Sequence, residues 1–226
     1  MFSTVRAKKT RRYFFRDRDM IYTEEKLEEL RSSIASRMSQ ARYSHTEGVA
    51  DMAKKIGEVL LPELVSELQC AALLHDIAKE TPTEELISIL KKAGVALTEE
   101  DLLIPASLHS FAGPEIIKRD FPDFATENLL SAVRNHTTGD ADMTVFDEII
   151  FLSDYIELGR DYPSCVETRN LFLDSFSNEK SREDNINALH RAAYRALQLT
   201  EKSLLARGSK VHSKTQLAKN SLAALI

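Results

Sequence analysis

The chain has 226 residues, of which 43% are hydrophobic and 29% charged, and its formal net charge is −5. This length allows one well-buried core and is short for two, so we expect a single domain. The acidic balance gives no reason to expect nucleic acid as the main partner. Cys70 and Cys165 cannot build a disulfide framework, and no apolar run reaches membrane length. The sequence therefore predicts a cytosolic protein with reduced thiols and no membrane partner.

Residues 1–22 form a predicted basic arm. Seven Arg and Lys side chains lie between Arg6 and Arg18, around Tyr13, Phe14 and Phe15. Such an arm can contact nucleic acid or an anionic membrane surface. The alternative is a solvated leader, which we favour because the arm is short and no nucleic-acid-binding motif follows it.

The remainder of the chain has the pattern of an all-α protein. Glycine and proline are few, and apolar residues recur at three- and four-residue intervals among the charged ones. A first helix is predicted to begin near Thr23, and a second, amphipathic helix carries His45 near its start. The next apolar helical run, residues 64–78, carries His75 and Asp76.

Two more histidines lie near predicted helix ends. A helix over residues 84–93 is followed by a connecting segment, residues 97–104. His109 then opens another helix, and a helix over residues 125–133 delivers His136 at its end. Loops that begin next to a histidine often line a functional site.

The helix predicted over residues 146–160 contains aspartates at seven-residue spacing, which places them on one face. They are Asp147, Asp154 and Asp161. Apolar neighbours surround Asp154, so we expect it to need a cation, whereas the other two are open to a second interpretation as a solvent-facing acidic stripe. Beyond this helix, His190 and His212 are predicted to be surface histidines, and residues 207–226 form a tail that contains a short amphipathic helix.

The adjacent His75 and Asp76 are the centre of the functional prediction. Burying a carboxylate is costly unless its charge is compensated, and a bound cation is the simplest compensation. Lys79 follows one helical turn after His75, where it can meet a phosphate oxygen near a metal. The alternative is a buried His–Asp hydrogen bond in an ordinary core helix.

The rest of the chain favours the metal site. Four imidazoles and two carboxylates of buried type are what a pair of transition-metal ions needs, with Asp76 bridging them, and the absence of thiolates disfavours structural zinc. The set is His45, His75, Asp76, His109, His136 and Asp154.

The order of these residues and the words around them resemble the HD superfamily of metal-dependent phosphohydrolases. The closest resemblance is to its YqeK-type branch, whose members are symmetrical diadenosine-tetraphosphate hydrolases. The motifs are Arg42-Tyr43-Ser44-His45, His75-Asp76-Ile77-Ala78-Lys79, His109-Ser110-Phe111-Ala112-Gly113, His136-Thr137-Thr138-Gly139 and Asp154-Tyr155-Ile156-Glu157-Leu158-Gly159-Arg160. The resemblance implies a single-domain HD-type helical bundle around a binuclear metal site, spanning residues 23–206.

The resemblance also implies roles for individual residues. The six residues listed above would be the metal ligands, and Asp76 and Lys79 the catalytic residues. The residues that contact the polyphosphate would be Arg42, Lys79, Thr137 and Arg160. The cofactors would be two divalent transition-metal ions, with iron favoured and manganese, cobalt or nickel as alternatives.

The implied reaction is the symmetrical hydrolysis of diadenosine tetraphosphate to two ADP. Two alternatives remain open: another HD-type activity, such as a nucleotidase, cyclic-nucleotide phosphodiesterase or alarmone hydrolase, and a non-catalytic binding module of the same fold. A homodimer is compatible with the sequence.

Overall fold

The computed structural model describes residues 22–226, and every regular element in that range is a helix. The all-α prediction is therefore confirmed, whereas the predicted basic arm lies, except for Tyr22, outside the described residues. The α-helices are α1 (Glu24–Ala35), α2 (Gln40–Leu60), α3 (Val65–Leu74), α4 (Thr83–Lys92), α5 (Glu99–Leu103), α6 (Leu108–Asp120), α7 (Glu127–Asn135), α8 (Val145–Ile156), α9 (Pro163–Ser175), α10 (Arg182–Ala206) and α11 (Ser213–Ala223). None of those in residues 22–226 is both long and apolar enough to cross a membrane.

Helix α3 is the centre of the bundle. Every residue from Glu67 to its end at Leu74 is buried, and the helix contacts α1, α2, α7 and α8. A mainly apolar helix is expected in such a position, and its two buried polar side chains are Glu67 and Gln69. Helix α2 packs closely against it at Gly57, where an added Cβ would lie 2.6 Å from Leu68 Cδ1. The centre of the bundle thus holds the segment that leads directly into His75 and Asp76.

Side-chain caps fix where the helices begin. Thr23 caps α1 as predicted, because its Oγ1 accepts a hydrogen bond from the backbone N–H of Lys26 at 3.2 Å. At α8, Thr144 and Asp147 form a reciprocal capping box. Asp147 is fully buried in that role. It is therefore a structural cap, and the interpretation as part of a solvent-facing acidic stripe was wrong for this residue.

Several predicted boundaries differ from those of the structure. Helix α3 ends at Leu74, and the next residues form tighter turns in which backbone N–H groups bond to carbonyls three positions earlier. Helix α8 ends at Ile156 because Glu157 has an extended backbone, with φ −55° and ψ 153°. The segment over residues 97–104 contains the short helix α5, which Thr98 and Asp101 cap.

The prediction that His190 and His212 lie on the surface was wrong. His190 is buried and its Nδ1 lies 2.8 Å from Glu148 Oε2, whereas His212 is buried and its Nε2 lies 3.0 Å from Asp101 Oδ1. A buried polar ring needs a partner, and both partners come from helices distant in sequence. His212 begins α11, whose Ala218 and Leu222 pack into a small apolar cluster with residues of α8 and α10.

We predict that His212→Ala loosens α11. Burial opposes ionisation of Asp101, but hydrogen bonds from His212 and Thr98 lower its pKa in the folded protein. Without the ring the carboxylate loses a buried partner, which should cost about 1–3 kcal/mol of unfolding free energy in urea and speed amide hydrogen exchange in residues 213–223. Ser209→Ala, at an exposed position, is the control.

The contribution of Asp101 to stability should also depend on pH. Because its pKa is lower in the folded protein, this contribution is fully present above its unfolded pKa of about 4 and is lost as the pH falls through the folded value. Urea unfolding of His212→Ala and wild type across this range should converge at low pH. A constant difference would contradict the role assigned to this pair.

Candidate metal centre

The structure brings all six predicted ligands together at helix ends. They are His45 in the first turns of α2, His75 and Asp76 directly after α3, His109 at the start of α6, His136 directly after α7 and Asp154 near the end of α8. They form three overlapping groups of three, and within each group the ligand atoms lie within 4.8 Å of one another. Residues far apart in the sequence thus meet in one buried cluster.

Three of the histidines hold the same tautomer for the same reason. The Nδ1 atoms of His75, His109 and His136 lie 2.5, 2.8 and 2.7 Å from the backbone carbonyl three residues earlier. A carbonyl only accepts, so Nδ1–H is the donor in each case. In the neutral ring each Nε2 atom then carries a lone pair, and the Nε2 atoms of His109 and His136 lie only 3.1 Å apart. Two facing lone pairs favour a cation between them.

Asp76 lies between two groups of imidazoles. Its Oδ1 is 3.3 Å from Nε2 of both His109 and His136. Its Oδ2 is 3.4 Å from His75 Nε2 and 4.0 Å from His45 Nε2. The two carboxylate oxygens thus face different histidine pairs, and Asp76 belongs to two of the three candidate ligand groups.

Glu157 orients His45 toward the second carboxylate of the cluster. Glu157 Oε1 lies 3.2 Å from His45 Nδ1, and because a carboxylate accepts, Nδ1–H is the donor. In the neutral ring, His45 Nε2 then presents a lone pair to Asp154 Oδ1 at 2.9 Å. This close approach of two acceptors again needs a proton or a cation between them.

The residues present fit a divalent ion. Within residues 22–226, His45 Nε2, His75 Nε2 and Asp76 Oδ1 are buried and have no hydrogen-bond partner, which is costly unless another species satisfies them. Burial would raise the pKa of Asp76, yet the surrounding histidines hold it well below its usual range. Burial lowers the pKa of His109 to about 4. A charged carboxylate and a neutral imidazole are the forms that bind metal.

The four predicted substrate contacts surround this cluster. Arg42 Nη1 donates to Asp76 Oδ2 at 2.6 Å, and Arg160 Nη2 donates to Asp154 Oδ1 at 2.5 Å. Lys79 Nζ lies 3.1 Å from His109 Nε2, and Thr137 Oγ1 lies 3.0 Å from the same atom.

An open cavity adjoins the cluster. Its volume is about 360 Å³, and Arg42, His45 and Arg160 line it, as do Tyr162 and the exposed Asp161. Asp161 therefore lies at the cavity wall and outside the cluster of six. The cavity gives a ligand access to cationic side chains next to the candidate metal site.

The sequence analysis missed two residues that support the cluster. Glu157 follows Asp154 by three positions, a spacing that places both on one helix face and is the signal that could have found it. Arg169 on α9 donates to three backbone carbonyls, those of Ile156, Glu157 and Arg160, at 2.5–2.6 Å. No local sequence pattern indicates that role, because the acceptors are backbone atoms 9 to 13 residues away.

Comparison with known proteins gives matches to HD proteins. The HD domain family matches residues 42–159, a segment that contains all six predicted ligands. A symmetrical bis(5'-nucleosyl)-tetraphosphatase of Bacillus subtilis is 31% identical over 146 residues, which cover 64% of this chain and 76% of that protein. A protein of the same name from Staphylococcus aureus is 28% identical over 157 residues, covering 69% and 78%.

A solved structure is also similar. It is the crystal structure of a predicted HD superfamily hydrolase involved in NAD metabolism from Clostridium acetobutylicum, with a TM-score of 0.75 and 28% identity. The alignment covers 87% of this chain and 96% of that one.

We predict that Glu157→Gln weakens metal binding. Both carboxylate oxygens accept, one from His45 Nδ1–H and the other from Gly159 N–H at 2.5 Å. An amide has one accepting and one donating end, so one donor would face another donor and His45 would lose its orientation. The Kd for Mn²⁺, measured by chelator competition, should rise about 10- to 100-fold. An unchanged Kd would contradict the orienting role, and Glu58→Gln, exposed on α2, is the control.

Proposed function

We propose that this chain hydrolyses dinucleoside tetraphosphates at the central phosphoanhydride. The premise is its family, because the chain belongs to the HD family and to its group of symmetrical bis(5'-nucleosyl)-tetraphosphatases. The observation that carries the proposal is the convergence of imidazole rings on both oxygens of Asp76. The cluster adjoins an open cavity whose wall includes His45 and the cationic side chains of Arg42 and Arg160, together with the carboxylates of Glu80, Glu157 and Asp161. With diadenosine tetraphosphate as substrate, the products would be two molecules of ADP.

We infer that the cluster holds two divalent transition-metal ions. The residues that would hold them are His45, His75, Asp76, His109, His136 and Asp154. Imidazole and carboxylate ligation without thiolates suits iron, manganese, cobalt or nickel, and the family resemblance favours iron among them. Bound there, divalent ions would supply Lewis-acid stabilisation of phosphate oxygens and lower the pKa of an attacking water.

The remaining residues act on the polyphosphate. Arg42 and Lys79 lie on either side of the Asp76 carboxylate and would neutralise charge on the central phosphates. The Thr137 hydroxyl would donate a hydrogen bond to a phosphate oxygen. Arg160 would contact a phosphate farther along the chain, because it lines the adjoining cavity and Asp154 holds its Nε and Nη2 in place.

The position of the cluster accounts for cleavage at the middle of the substrate. Water adds to one of the two inner phosphorus atoms, and the bond from that phosphorus to the bridging oxygen breaks. The oxygen leaves with the other inner phosphate, and one proton is released to solvent. Cations on both sides of the cluster favour a bound chain whose central anhydride, and no outer one, lies at the six ligands.

We predict that Asp76→Ala removes both metal and activity. Because Asp76 faces both histidine pairs, its loss should lower the occupancy of both proposed metal sites. Hydrolysis of diadenosine tetraphosphate should fall at least about a hundredfold, since even residues that only orient ligands contribute 10- to 100-fold. Elemental analysis and chromatography of the nucleotide products measure the two effects, with Asp51→Ala, exposed on α2, as the matched control.

The products separate this proposal from its rivals. Wild type should give ADP alone, whereas AMP with ATP would indicate asymmetric cleavage. A panel with cyclic AMP, nucleoside monophosphates and a guanosine alarmone tests the other HD activities. Retained metal and retained turnover in Asp76→Ala would overturn the assignment of the site, and a metal-loaded wild type without turnover on any substrate would identify a binding module.

We predict that Lys79→Met lowers turnover and leaves metal content unchanged. Lys79 is exposed at the edge of the cluster, so its positive charge can act on the developing charge of the phosphates without holding a metal. Losing one such charge should lower kcat about 100-fold. Lys54→Met, also exposed, is the control. Equal kcat for Lys79→Met and wild type would contradict a catalytic role for this lysine.

A further inference from the structure

A second cavity lies beside the candidate metal centre, between the end of α8, the start of α9 and the last turns of α10. Its volume is about 450 Å³. That size is within the range of small-ligand pockets. We refer to it as the α9–α10 cavity.

The α9–α10 cavity and the cavity at the metal centre share two wall residues. Both are lined by Arg160 and Tyr162, so these two side chains stand at the junction between them. Arg160 is held by Asp154, one of the six clustered ligands, through Nη2 and also through Nε on the Asp154 carbonyl at 2.6 Å. A ligand anchored at the cluster can therefore extend past Arg160 into the second cavity.

The walls of the α9–α10 cavity combine flat, apolar and hydroxyl groups. Tyr162 is 63% exposed, which leaves a face of its ring free for stacking. Leu199 and Thr200 on α10 contribute an aliphatic and a hydroxyl wall, and Arg207 lies at the end of the same helix. Burial raises the pKa of the Tyr155 phenol, and the Ser164 and Thr200 hydroxyls oppose this rise. Aromatic faces with nearby hydroxyls are what a base and a ribose need.

The proposed substrate has a matching shape. If its central phosphates lie at the six ligands, neither nucleoside can occupy that place, and each must bind beyond an outer phosphate. Arg160 is a suitable contact for such a phosphate, because its guanidinium has five N–H donors and the hydrogen bonds to Asp154 engage only Nε and Nη2. The α9–α10 cavity begins at this side chain.

We infer that the α9–α10 cavity binds one nucleoside end of the dinucleoside polyphosphate, with the base stacked on Tyr162 and Arg160 on the adjoining phosphate. This inference rests on the proposed function for the identity of the whole substrate. It goes beyond that function by assigning the residues that recognise the nucleoside, and the binding of ADP tests it separately from turnover.

The test is to fill the cavity from an exposed position. Ser203 lines it and is exposed on α10, so Ser203→Trp places an indole in the cavity with little effect on the core. Lys202→Trp is the matched control, because it adds the same ring at an adjacent exposed position that does not line the cavity. Calorimetry on the metal-loaded protein measures the Kd of ADP and of inorganic pyrophosphate for each variant and wild type.

We expect Ser203→Trp to raise the Kd of ADP by about tenfold or more and to raise the KM for diadenosine tetraphosphate similarly. The Kd of pyrophosphate should not change, because pyrophosphate has no nucleoside. Lys202→Trp should behave as wild type in all three measurements. Tyr162→Leu should weaken ADP binding and Tyr162→Phe should restore it, since only the ring face is required.

Two results would overturn the inference. One is wild-type ADP affinity in Ser203→Trp, and the other is an equal loss of ADP and pyrophosphate binding. Either result would leave the proposed function intact if the wild type still converts diadenosine tetraphosphate to ADP. Conversely, a wild type that binds ADP through Ser203 and Tyr162 but does not cleave the tetraphosphate would sustain the nucleoside site and refute the proposed function.

Discussion

The arrangement around Asp76 depends on how the imidazole protons are distributed. His75, His109 and His136 each donate an Nδ1–H hydrogen bond to a backbone carbonyl, and His45 donates one to Glu157. In their neutral form all four rings consequently direct Nε2 lone pairs at the buried Asp76 and the partly buried Asp154. In a low-dielectric interior the electrostatic energy of so many clustered acceptors is unfavourable by itself, and bound divalent cations would make it favourable. Both the stability of the cluster and its proposed chemistry therefore require a bound cation.

Helix ends orient the histidine rings for this cluster better than helix interiors would. A side chain directly after the last helical turn can point along the helix axis, and the i−3 carbonyl that accepts the Nδ1 proton becomes available there. His75 and His136 occupy this position after α3 and α7. The tight turns that follow α3 then place Asp76 between the histidines and bring Lys79 Nζ to 3.1 Å from His109 Nε2 at the edge of the cluster. A continuous helix through residue 79 would have placed these two side chains, three positions apart, about 60° from each other around one cylinder.

The sequence predicted much of this because its signals are local. Apolar periodicity, the cap at Thr23 and the six chemistry-bearing residues within recognisable motifs sufficed for the fold class and the family, and both are confirmed by the structure and the comparisons. What failed depends on contacts distant in sequence. The partners of His190 and His212 lie 42 and 111 residues away, so polar neighbours in the sequence suggested exposure where the fold provides burial. The α9–α10 cavity, built from three helices, likewise has no local signature.

The hydrogen bonds from Arg169 to three backbone carbonyls have a consequence for ligand binding. Residues 157–160 have no helical hydrogen-bond ladder of their own, yet they carry Glu157 and Arg160. One guanidinium from α9 takes the place of that ladder, so the segment loses its conformational freedom when the chain folds. A flexible, highly charged ligand then binds to a segment that is already ordered, so the loss of conformational entropy on binding comes mainly from the ligand. Because Arg169 on α9 is hydrogen-bonded to the Arg160 carbonyl, small displacements of α9 would also move Arg160, which lies at the boundary between the two cavities.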